Sequence, residues 1–399
     1  MSLSNGRALL AIPGPSVVPD AVLRAMHRGS PNIYEGELVD MMPELTGGLR
    51  HVAGTKHDVA IYIGNGHAAW EAALSNTIAP GETVLVPSTG RFAHGWAEIA
   101  QGIGAEAQIL EFGTKDPMDA DRIEAVLRAD TERQIKAVLA VHVDTSSSIR
   151  SDIAAVRAAM DAAGHPALLM ADCMASLGCD QVDMDGWGVD VMVAGCQKGL
   201  MVPAGMAFVY FGPKAAEARA RLERVSWYWD WVPRANPEIF FQHFGGTAPT
   251  HHLYGLQVAL RMIAEEGLEA IWARHAAVAQ AVWAACEAWS EGGPLTLNVP
   301  NRAHRSHAVT SLRLGAPYGT DLRRWTEHKA GVTLGIGLGM SEPEDPAGDG
   351  FFRIGHMGHV NAQMILATLA SMQGGFDALG IPYGPGAIDA AIKVIAKAA

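Results

Sequence analysis

The chain has 399 residues, of which 49% are hydrophobic and 18% are charged, and its formal net charge is -12. This size allows one large core and one smaller core, and the acidic balance disfavours nucleic acid and anionic membranes as partners. No apolar run is long enough to span a membrane, and residues 1–7 lack the apolar block of a signal peptide, so we expect a cytoplasmic protein.

Six apolar runs rich in β-branched residues alternate with helical patterns in the first half of the chain. Such alternation is typical of βαβ units, and strands without a polar face predict a mostly parallel sheet covered on both sides. The fold class is therefore α/β. The runs are 59–64, 83–88, 136–143, 166–172, 189–195 and 206–212.

Helical periodicity is clearest in two segments. Ser151 is expected to cap a helix that presents Ile153, Val156 and Met160 on one face and stops at Gly164. A longer helix is predicted over about residues 265–290, where apolar residues keep a 3.6-residue period.

The last third of the chain is expected to form a second, smaller domain. Residues 307–314 and 351–355 have the pattern of strands, whereas the glycine-rich stretch 331–339 permits no assignment. We therefore expect a large domain over residues 1–264 and a small α+β domain over residues 265–399.

The segment GNGH, residues 64–67, ends a predicted strand in glycines and begins a helix. Backbone N–H groups of Gly66 and His67 and the side-chain amide of Asn65 would face one point, together with the positive end of the helix dipole. A phosphate would be stabilised there. On this motif alone, an ordinary tight turn is the commoner interpretation.

Asp172 ends the run 166–172, at the edge of the sheet where doubly wound folds bind ligands. A carboxylate that ends a buried strand needs a partner. In an enzyme that uses pyridoxal phosphate, the pyridine nitrogen of the cofactor provides one. A helix cap or a buried ion pair would explain Asp172 equally well.

Lys198 lies between glycines in GCQKG, 26 residues after Asp172 and directly after another apolar run. Its amine can form a Schiff base with an aldehyde and can move a proton. A solvated loop lysine is the alternative when the motif is considered alone. Arg353, in FFRIGHMG, suits a bidentate carboxylate clamp, and a structural salt bridge is the open alternative there.

These segments, in this order and spacing, resemble the class V aminotransferases of pyridoxal phosphate fold type I. Within that family the chain is similar to the serine–glyoxylate and alanine–glyoxylate aminotransferases. The resemblance implies a large domain with a mostly parallel seven-stranded sheet and a smaller C-terminal domain. The matching segments include AIPGPSVVPDAVLRAM (11–26), GNGHAAWEAAL (64–74), DGWGVDVMVAGCQKGLMVPAG (185–205) and FFRIGHMG (351–358).

The resemblance also implies roles for individual residues. Lys198 would hold pyridoxal 5'-phosphate, Asp172 would pair with its pyridine nitrogen, and Phe92 in TGRFAHGW would stack on its ring. Thr145 would bond near the ring hydroxyl, and Arg353 would bind the substrate carboxylate. The phosphate would be held by Asn65, Gly66, His67 and Gln197.

Thr247 matches a residue that reaches the phosphate of the neighbouring subunit, which implies a homodimer with its active site at the interface. Two departures bear on this. Phe244 stands where the family usually has tyrosine, and HVDTSSS (142–148) stands where many serine–glyoxylate enzymes have HNETATG. A pyridoxamine–pyruvate aminotransferase has glutamate near the position of Asn65, so the asparagine favours a bound cofactor and an amino-acid donor.

The expected reaction is a ping-pong transfer of the amino group of a small amino acid, such as serine or alanine, to glyoxylate or pyruvate. One alternative is an enzyme like pyridoxamine–pyruvate aminotransferase. Another is a pyridoxal phosphate lyase such as a cysteine desulfurase, but the chain has no cysteine after Cys286 to act as a nucleophile. A third is a binding protein without catalysis. The four cysteines form no CxxC pair, so we expect reduced, buried thiols and no metal site.

Overall fold

A computed structural model describes residues 3–398 of the chain. The strands in this range are β1 (Leu9–Ala11), β2 (Asp58–Gly64), β3 (Thr83–Ser88), β4 (Glu106–Glu111), β5 (Ile135–Val141), β6 (Leu168–Asp172), β7 (Val191–Gly195), β8 (Gly205–Phe211), β9 (Thr296–Leu297), β10 (Val309–Arg313), β11 (Val332–Ile336) and β12 (Phe351–Gly355). Short 3-10 turns lie at Phe240–Phe244, Arg302–His304 and Pro346–Gly350, and a π turn lies at Thr326–Ala330.

The helices differ widely in length, from one turn to more than six. They are α1 (Asp20–Met26), α2 (Glu37–Asp40), α3 (Met42–Ala53), α4 (Gly66–Ser75), α5 (Arg91–Gly102), α6 (Ala120–Ala129), α7 (Ile153–Ala162), α8 (Pro213–Arg221), α9 (Val232–Ala235), α10 (Thr250–Glu266), α11 (Leu268–Ser290), α12 (Tyr318–Trp325), α13 (Ala362–Leu379) and α14 (Ala387–Ala398). None of these helices has the length and apolar character needed to cross a membrane.

Seven strands form the larger sheet, in the order β2-β8-β7-β6-β5-β3-β4. Strand β8 runs antiparallel to both of its neighbours, and the other pairs are parallel. The predicted mostly parallel sheet is therefore confirmed, and the six apolar runs coincide with six of its strands. Strand β4 was not predicted, because this edge strand is largely exposed and its residues, EAQILE, form no apolar run.

Helices cover both faces of the large sheet, because alternate residues of its strands point to opposite sides. In β3, Leu85 packs into one core with the helices α3, α6, α7 and α10, whereas Val84 and Val86 pack into the other core with α4 and α5. The second core holds Trp70 and Trp96, which are both almost fully buried. Helices α4 and α5 begin directly after β2 and β3, so they start at the carboxyl edge of the sheet.

The start of α7 differs from the prediction. The Asp152 carboxylate accepts a hydrogen bond from Ala155 N at 3.0 Å and caps the helix. Ser151, the predicted cap, instead accepts a bond from Met118 N at 3.2 Å through its hydroxyl, so that prediction is wrong. The carboxylate lies one residue closer to the free N–H groups, which explains the outcome.

The second sheet has five strands in the order β1-β11-β12-β10-β9. Strand β11 falls in the glycine-rich stretch that had no assignment, and the predicted strands 307–314 and 351–355 correspond to β10 and β12. Strand β1 pairs in parallel with β11, so residues 9–16, which we call the N-terminal arm, complete a sheet built otherwise from C-terminal residues. The division at residues 264 and 265 stays a prediction; nearby, Gly267 (φ 83°) separates α10 from α11.

Candidate active site

A cavity of about 170 Å³ lies at the carboxyl edge of the large sheet, where β6 and β7 end and α4 begins. Eight of the ten site residues expected from the sequence line it; Thr247 and Arg353 do not. The eight are Asn65, Gly66, His67, Phe92, Thr145, Asp172, Gln197 and Lys198. The remaining wall is formed by Trp70, Val143, Met174 and Ala175, which the sequence analysis did not single out.

Lys198 is buried, with 8% of its surface exposed, so it is not the solvated loop lysine of the alternative interpretation. Its Nζ donates hydrogen bonds to Pro13 O at 3.2 Å and, more weakly, to Thr145 Oγ1 at 3.5 Å. Burial lowers the pKa of this amine to about 8, although the nearby charge of Asp172 opposes the shift. A substantial neutral fraction at physiological pH suits a nucleophile.

The N-terminal segment that contains Pro13 and Ser16 contacts the loop around Lys198. The Ser16 hydroxyl donates to Lys198 O at 2.7 Å, and Ser16 N donates to Gln197 O at 2.8 Å. The N-terminal arm thereby fixes the loop after β7 and supplies the Pro13 carbonyl that the amine contacts. The arm positions the lysine, which the sequence analysis did not foresee.

Both carboxylate oxygens of Asp172 accept hydrogen bonds from the protein. Oδ1 accepts from Met174 N at 2.6 Å, and Oδ2 accepts from the indole Nε1 of Trp70 at 3.0 Å. Burial raises the pKa of this carboxyl to about 6, against these two bonds and the charge of Lys198, which lower it. The carboxylate has no salt bridge within residues 3–398.

The part of the cavity that is lined by Asn65, Gly66 and His67 has the features of an anion site. Helix α4 begins at Gly66, and the N–H groups of its first turn have no intrahelical acceptor. Asn65 caps the helix, since its Oδ1 accepts from His67 N at 3.1 Å; the His67 N–H thus already has an acceptor within the chain. A Cβ at Gly66 would lie 2.8 Å from Met174 Cε, so a larger residue there would displace the methionine side chain that lines the cavity.

Phe92 lies in the first turn of α5, and its position depends on a buried carboxylate. Asp144 accepts from Phe92 N at 3.0 Å through Oδ2 and from Ser146 N at 2.8 Å through Oδ1. The Phe92 ring lies 5.8 Å from Lys198 Nζ, measured to the ring centroid. Asp144, in the altered segment 142–148, therefore fixes the aromatic wall of the cavity.

Arg353 is buried on β12 and donates two hydrogen bonds to backbone carbonyls, from Nε to Ile336 O at 2.6 Å and from Nη1 to Thr145 O at 2.7 Å. It forms no salt bridge in the part of the chain that the structure describes, so the structural salt bridge is not supported. Burial lowers its pKa to about 10, although Asp144 opposes the shift. Arg353 thus bonds one residue that lines the cavity, Thr145, and one that lines a separate cleft of about 950 Å³, Ile336.

Thr247 and Phe244 lie away from the cavity. Thr247 is exposed in the loop before α10. Phe244 is fully buried and packs on Phe240, with 5.5 Å between ring centroids, so it belongs to the core rather than to the cavity of its own chain.

Residues 21–343 match the family described as Aminotransferase class-V. The chain belongs to this family. The family predicted from the sequence motifs is thereby confirmed. The predictions of fold type I and of pyridoxal phosphate as cofactor are confirmed as well. The enzyme is an aminotransferase.

Similar proteins cover this class V aminotransferase over almost its entire length. The serine–glyoxylate aminotransferase of Methylorubrum extorquens is 35% identical over 96% of this chain and 94% of its own. The L-aspartate–glyoxylate aminotransferase of Paracoccus denitrificans is 35% identical over 93% and 91%. The crystal structure of the ureidoglycine–glyoxylate aminotransferase from Bacillus subtilis matches with a TM-score of 0.85, at 27% identity and 99% coverage of both chains.

The cavity of this class V aminotransferase fits pyridoxal phosphate on its own chemistry. Gln197 Oε1 is buried in the wall without a hydrogen-bond partner, and its amide can turn to present N–H groups to a phosphate. The amine of Lys198, the ring of Phe92 and the carboxylate of Asp172 line the same space. The amine can bind the aldehyde of the cofactor, the phenyl ring can stack on its aromatic ring, and the carboxylate can pair with its ring nitrogen.

Two residues of this aminotransferase that position others escaped the sequence analysis. Trp70 sits in the matched segment GNGHAAWEAAL, but no role was predicted for it. Asp144 was named only within the changed segment HVDTSSS. A buried indole N–H and a buried carboxylate both need hydrogen-bond partners, and this requirement could have marked the two residues for attention. The identity of their partners depends on tertiary structure.

Proposed function

We propose that this enzyme transfers the amino group of a small amino acid, such as serine or alanine, to glyoxylate or pyruvate in two half-reactions at one site. The main support is that a buried amine, Lys198, and a buried carboxylate, Asp172, line one small cavity together with the ring of Phe92. The three relatives named above differ in their donors but share glyoxylate in their names. Glyoxylate is therefore the acceptor that we favour over pyruvate.

In this proposal the bound cofactor supplies an aromatic ring that accepts electrons from the substrate Cα. Lys198 would hold the cofactor and, once released, would move a proton from the substrate Cα to C4' of the cofactor in the first half-reaction and in the opposite direction in the second. Its lowered pKa favours both directions, because a general base works best when its pKa lies near the operating pH. Asp172 keeps the ring nitrogen protonated. The phosphate is held by Asn65, Gly66, His67 and Gln197.

Arg353 binds the substrate carboxylate in the same proposal. Two of its N–H groups are already occupied by carbonyls, which fixes the plane of the guanidinium. The Nη2 edge can then bind an anionic oxygen with a charge-assisted hydrogen bond. The donor and the acceptor both carry a carboxylate next to the reacting carbon, so one arginine serves both half-reactions.

We propose that the enzyme works as a homodimer, with Thr247 reaching the phosphate site of the partner. The segment that leads to Thr247 exposes large apolar side chains: Trp227 (68% exposed), Val232 (48%), Ile239 (51%) and Phe241 (47%). Ile63, beside the predicted phosphate loop, is 41% exposed. Clustered apolar exposure near a site supports a subunit interface there.

The lyase alternative has less support. A cysteine desulfurase needs a reactive thiol near the substrate, but all four cysteines are buried and none lines the cavity. Burial raises the pKa of each thiol, to about 11 for Cys196 and about 12 for Cys179. Four buried, unpaired thiols also support the proposed cytoplasmic location.

The test uses the purified protein reconstituted with pyridoxal phosphate. Serine, alanine, aspartate and pyridoxamine are added one at a time without an acceptor, and the visible absorbance of the bound cofactor is followed. A competent donor removes this absorbance, and glyoxylate restores it with formation of glycine. Pyridoxamine turnover without retained cofactor would favour the pyridoxamine–pyruvate type instead. A cofactor that binds but responds to no donor would favour a binding protein, and Lys198→Ala serves as the inactive control.

A further inference from the structure

The indole of Trp70 is placed to control Asp172. Its Nε1 donates to Asp172 Oδ2 at 3.0 Å, and Met174 N donates to the other oxygen at 2.6 Å. These two bonds, one from a side chain and one from the backbone, define the plane of the carboxylate. Trp70 is 2% exposed, so no water can replace its N–H without rearrangement of the core.

The ring of Trp70 is itself held by aromatic neighbours on three sides. It stacks on Trp96 at 5.9 Å with 14° between the ring planes. His67 meets it edge-on at 4.9 Å and Phe92 at 6.3 Å. Because His67 and Phe92 also line the cavity, one indole contacts residues from the predicted phosphate end, the aromatic wall and the carboxylate.

We infer that Trp70 is a positioning residue for the proposed transamination: its N–H fixes the orientation of the Asp172 carboxylate and keeps it ionised to face the cofactor ring nitrogen. This inference rests on the proposed function. It adds a residue that acts through Asp172 and does not itself exchange protons with substrate.

The balance of charges around Asp172 explains why one hydrogen bond matters. Burial and the charge of Asp144 favour the neutral carboxyl, whereas Lys198, Met174 N and Trp70 favour the carboxylate. The thiol of Cys173 and the imidazole of His67 are the other titratable groups nearby. The pKa of Asp172, at about 6, lies only slightly below physiological pH. Loss of the Trp70 hydrogen bond would raise this pKa, so that a large fraction of the carboxyl would be protonated at physiological pH.

The test compares Trp70→Phe with Trp96→Phe. Both variants replace a buried tryptophan in the same stack, but Trp96 Nε1 has no hydrogen-bond partner, so only Trp70→Phe removes a bond to a carboxylate. The readout is the equilibrium affinity of the cofactor-free protein between pH 5 and 9 for pyridoxamine phosphate, which has the same ring and phosphate but no aldehyde and therefore forms no bond with Lys198. Affinity declines on the acid side as Asp172 becomes protonated and can no longer pair with a charged ring nitrogen.

Trp70→Phe should move this acid limb upward by about one pH unit, since a hydrogen bond to a charged group contributes on this scale; binding should then weaken about twofold at pH 7 and about tenfold at pH 5. Trp96→Phe should leave the limb where it is in the wild type. Equal profiles for the two variants would overturn the inference while leaving the proposed function intact. A wild-type protein that binds no cofactor would contradict both the inference and the proposed function.

A second measurement tests the inference without the Trp70→Phe variant, in case that variant fails to fold. In the ¹⁵N-labelled wild-type protein without cofactor, the indole N–H resonance of Trp70 should shift with pH along the Asp172 titration, and this shift should vanish in Asp172→Asn. A Trp70 resonance that ignores this titration would also overturn the inference.

Discussion

The guanidinium of Arg353 donates from Nη1 to the backbone carbonyl of Thr145 across 2.7 Å. Arg353 belongs to β12 of the five-stranded sheet, whereas Thr145 follows β5 of the seven-stranded sheet and lines the cavity. The two sheets are therefore tied together beside the reacting groups. Because Arg353 is also the proposed ligand of the substrate carboxylate, substrate binding at Arg353 can influence the position of the five-stranded sheet relative to the cavity.

Arg353→Lys should raise KM for both the amino acid and the oxo acid about 10- to 100-fold, because lysine cannot reproduce a planar, two-pronged donor. The kcat should fall less, since Lys198 and Asp172 are unchanged. Steady-state kinetics with each substrate varied in turn measure this split. Arg313→Lys, on the exposed side of neighbouring β10, is the matched control and should change neither constant. Equal KM values in Arg353→Lys and the wild type would remove Arg353 from substrate binding.

The pH dependence of cofactor attachment should report the state of Lys198. Only the neutral amine attacks an aldehyde, and burial lowers the pKa of Lys198 from 10.5 to about 8. The attachment rate of cofactor-free enzyme should therefore rise about tenfold per pH unit below pH 8 and level off above it. Stopped-flow absorbance gives the rate, and a lysine peptide in the same buffers corrects for ionisation of the cofactor. A corrected rate still rising at pH 10 would show an ordinary lysine.

Asp144→Asn should destabilise the start of α5. The two oxygens of Asp144 accept from Ser146 N and Phe92 N, and asparagine offers only one acceptor oxygen, so one buried N–H would face an NH₂ group. Urea unfolding should show a loss of about 1–3 kcal/mol, and cofactor affinity should fall because Phe92 loses its anchor.

The control for Asp144→Asn is Asp119→Asn. Asp119 caps α6 at the surface, far from the cavity, through Oδ1 alone. Asparagine caps a helix as well as aspartate does, so this variant should retain both stability and cofactor affinity. If Asp144→Asn also retained both, the altered segment 142–148 would have no part in placing Phe92.

Strands of the large sheet were predictable because burial on both faces leaves a continuous apolar run, and β4 was missed because it lies at the edge and is largely exposed. Lys198 and Asp172 were predictable from their place after such runs. Their surroundings were not: Pro13 and Trp70 are 185 and 102 residues away from the groups that they contact. Contacts of this separation depend on chain topology, which local patterns do not encode.

The proposed dimer gives a test in which one subunit repairs the other. Thr247 is exposed in its own chain, so Thr247→Glu should fold, but in the proposed dimer its carboxylate would repel the phosphate of the partner's cofactor. Lys198→Ala disables its own site. Mixing the two inactive variants under conditions that exchange subunits yields hybrids in which one site carries both changes and the other carries neither. Activity should return to about a quarter of the wild-type value, since half of the dimers are hybrids with one intact site. Thr247→Glu that stays fully active alone, or two inactive variants whose mixture stays inactive after exchange shown by mass spectrometry, would place Thr247 outside the partner's site.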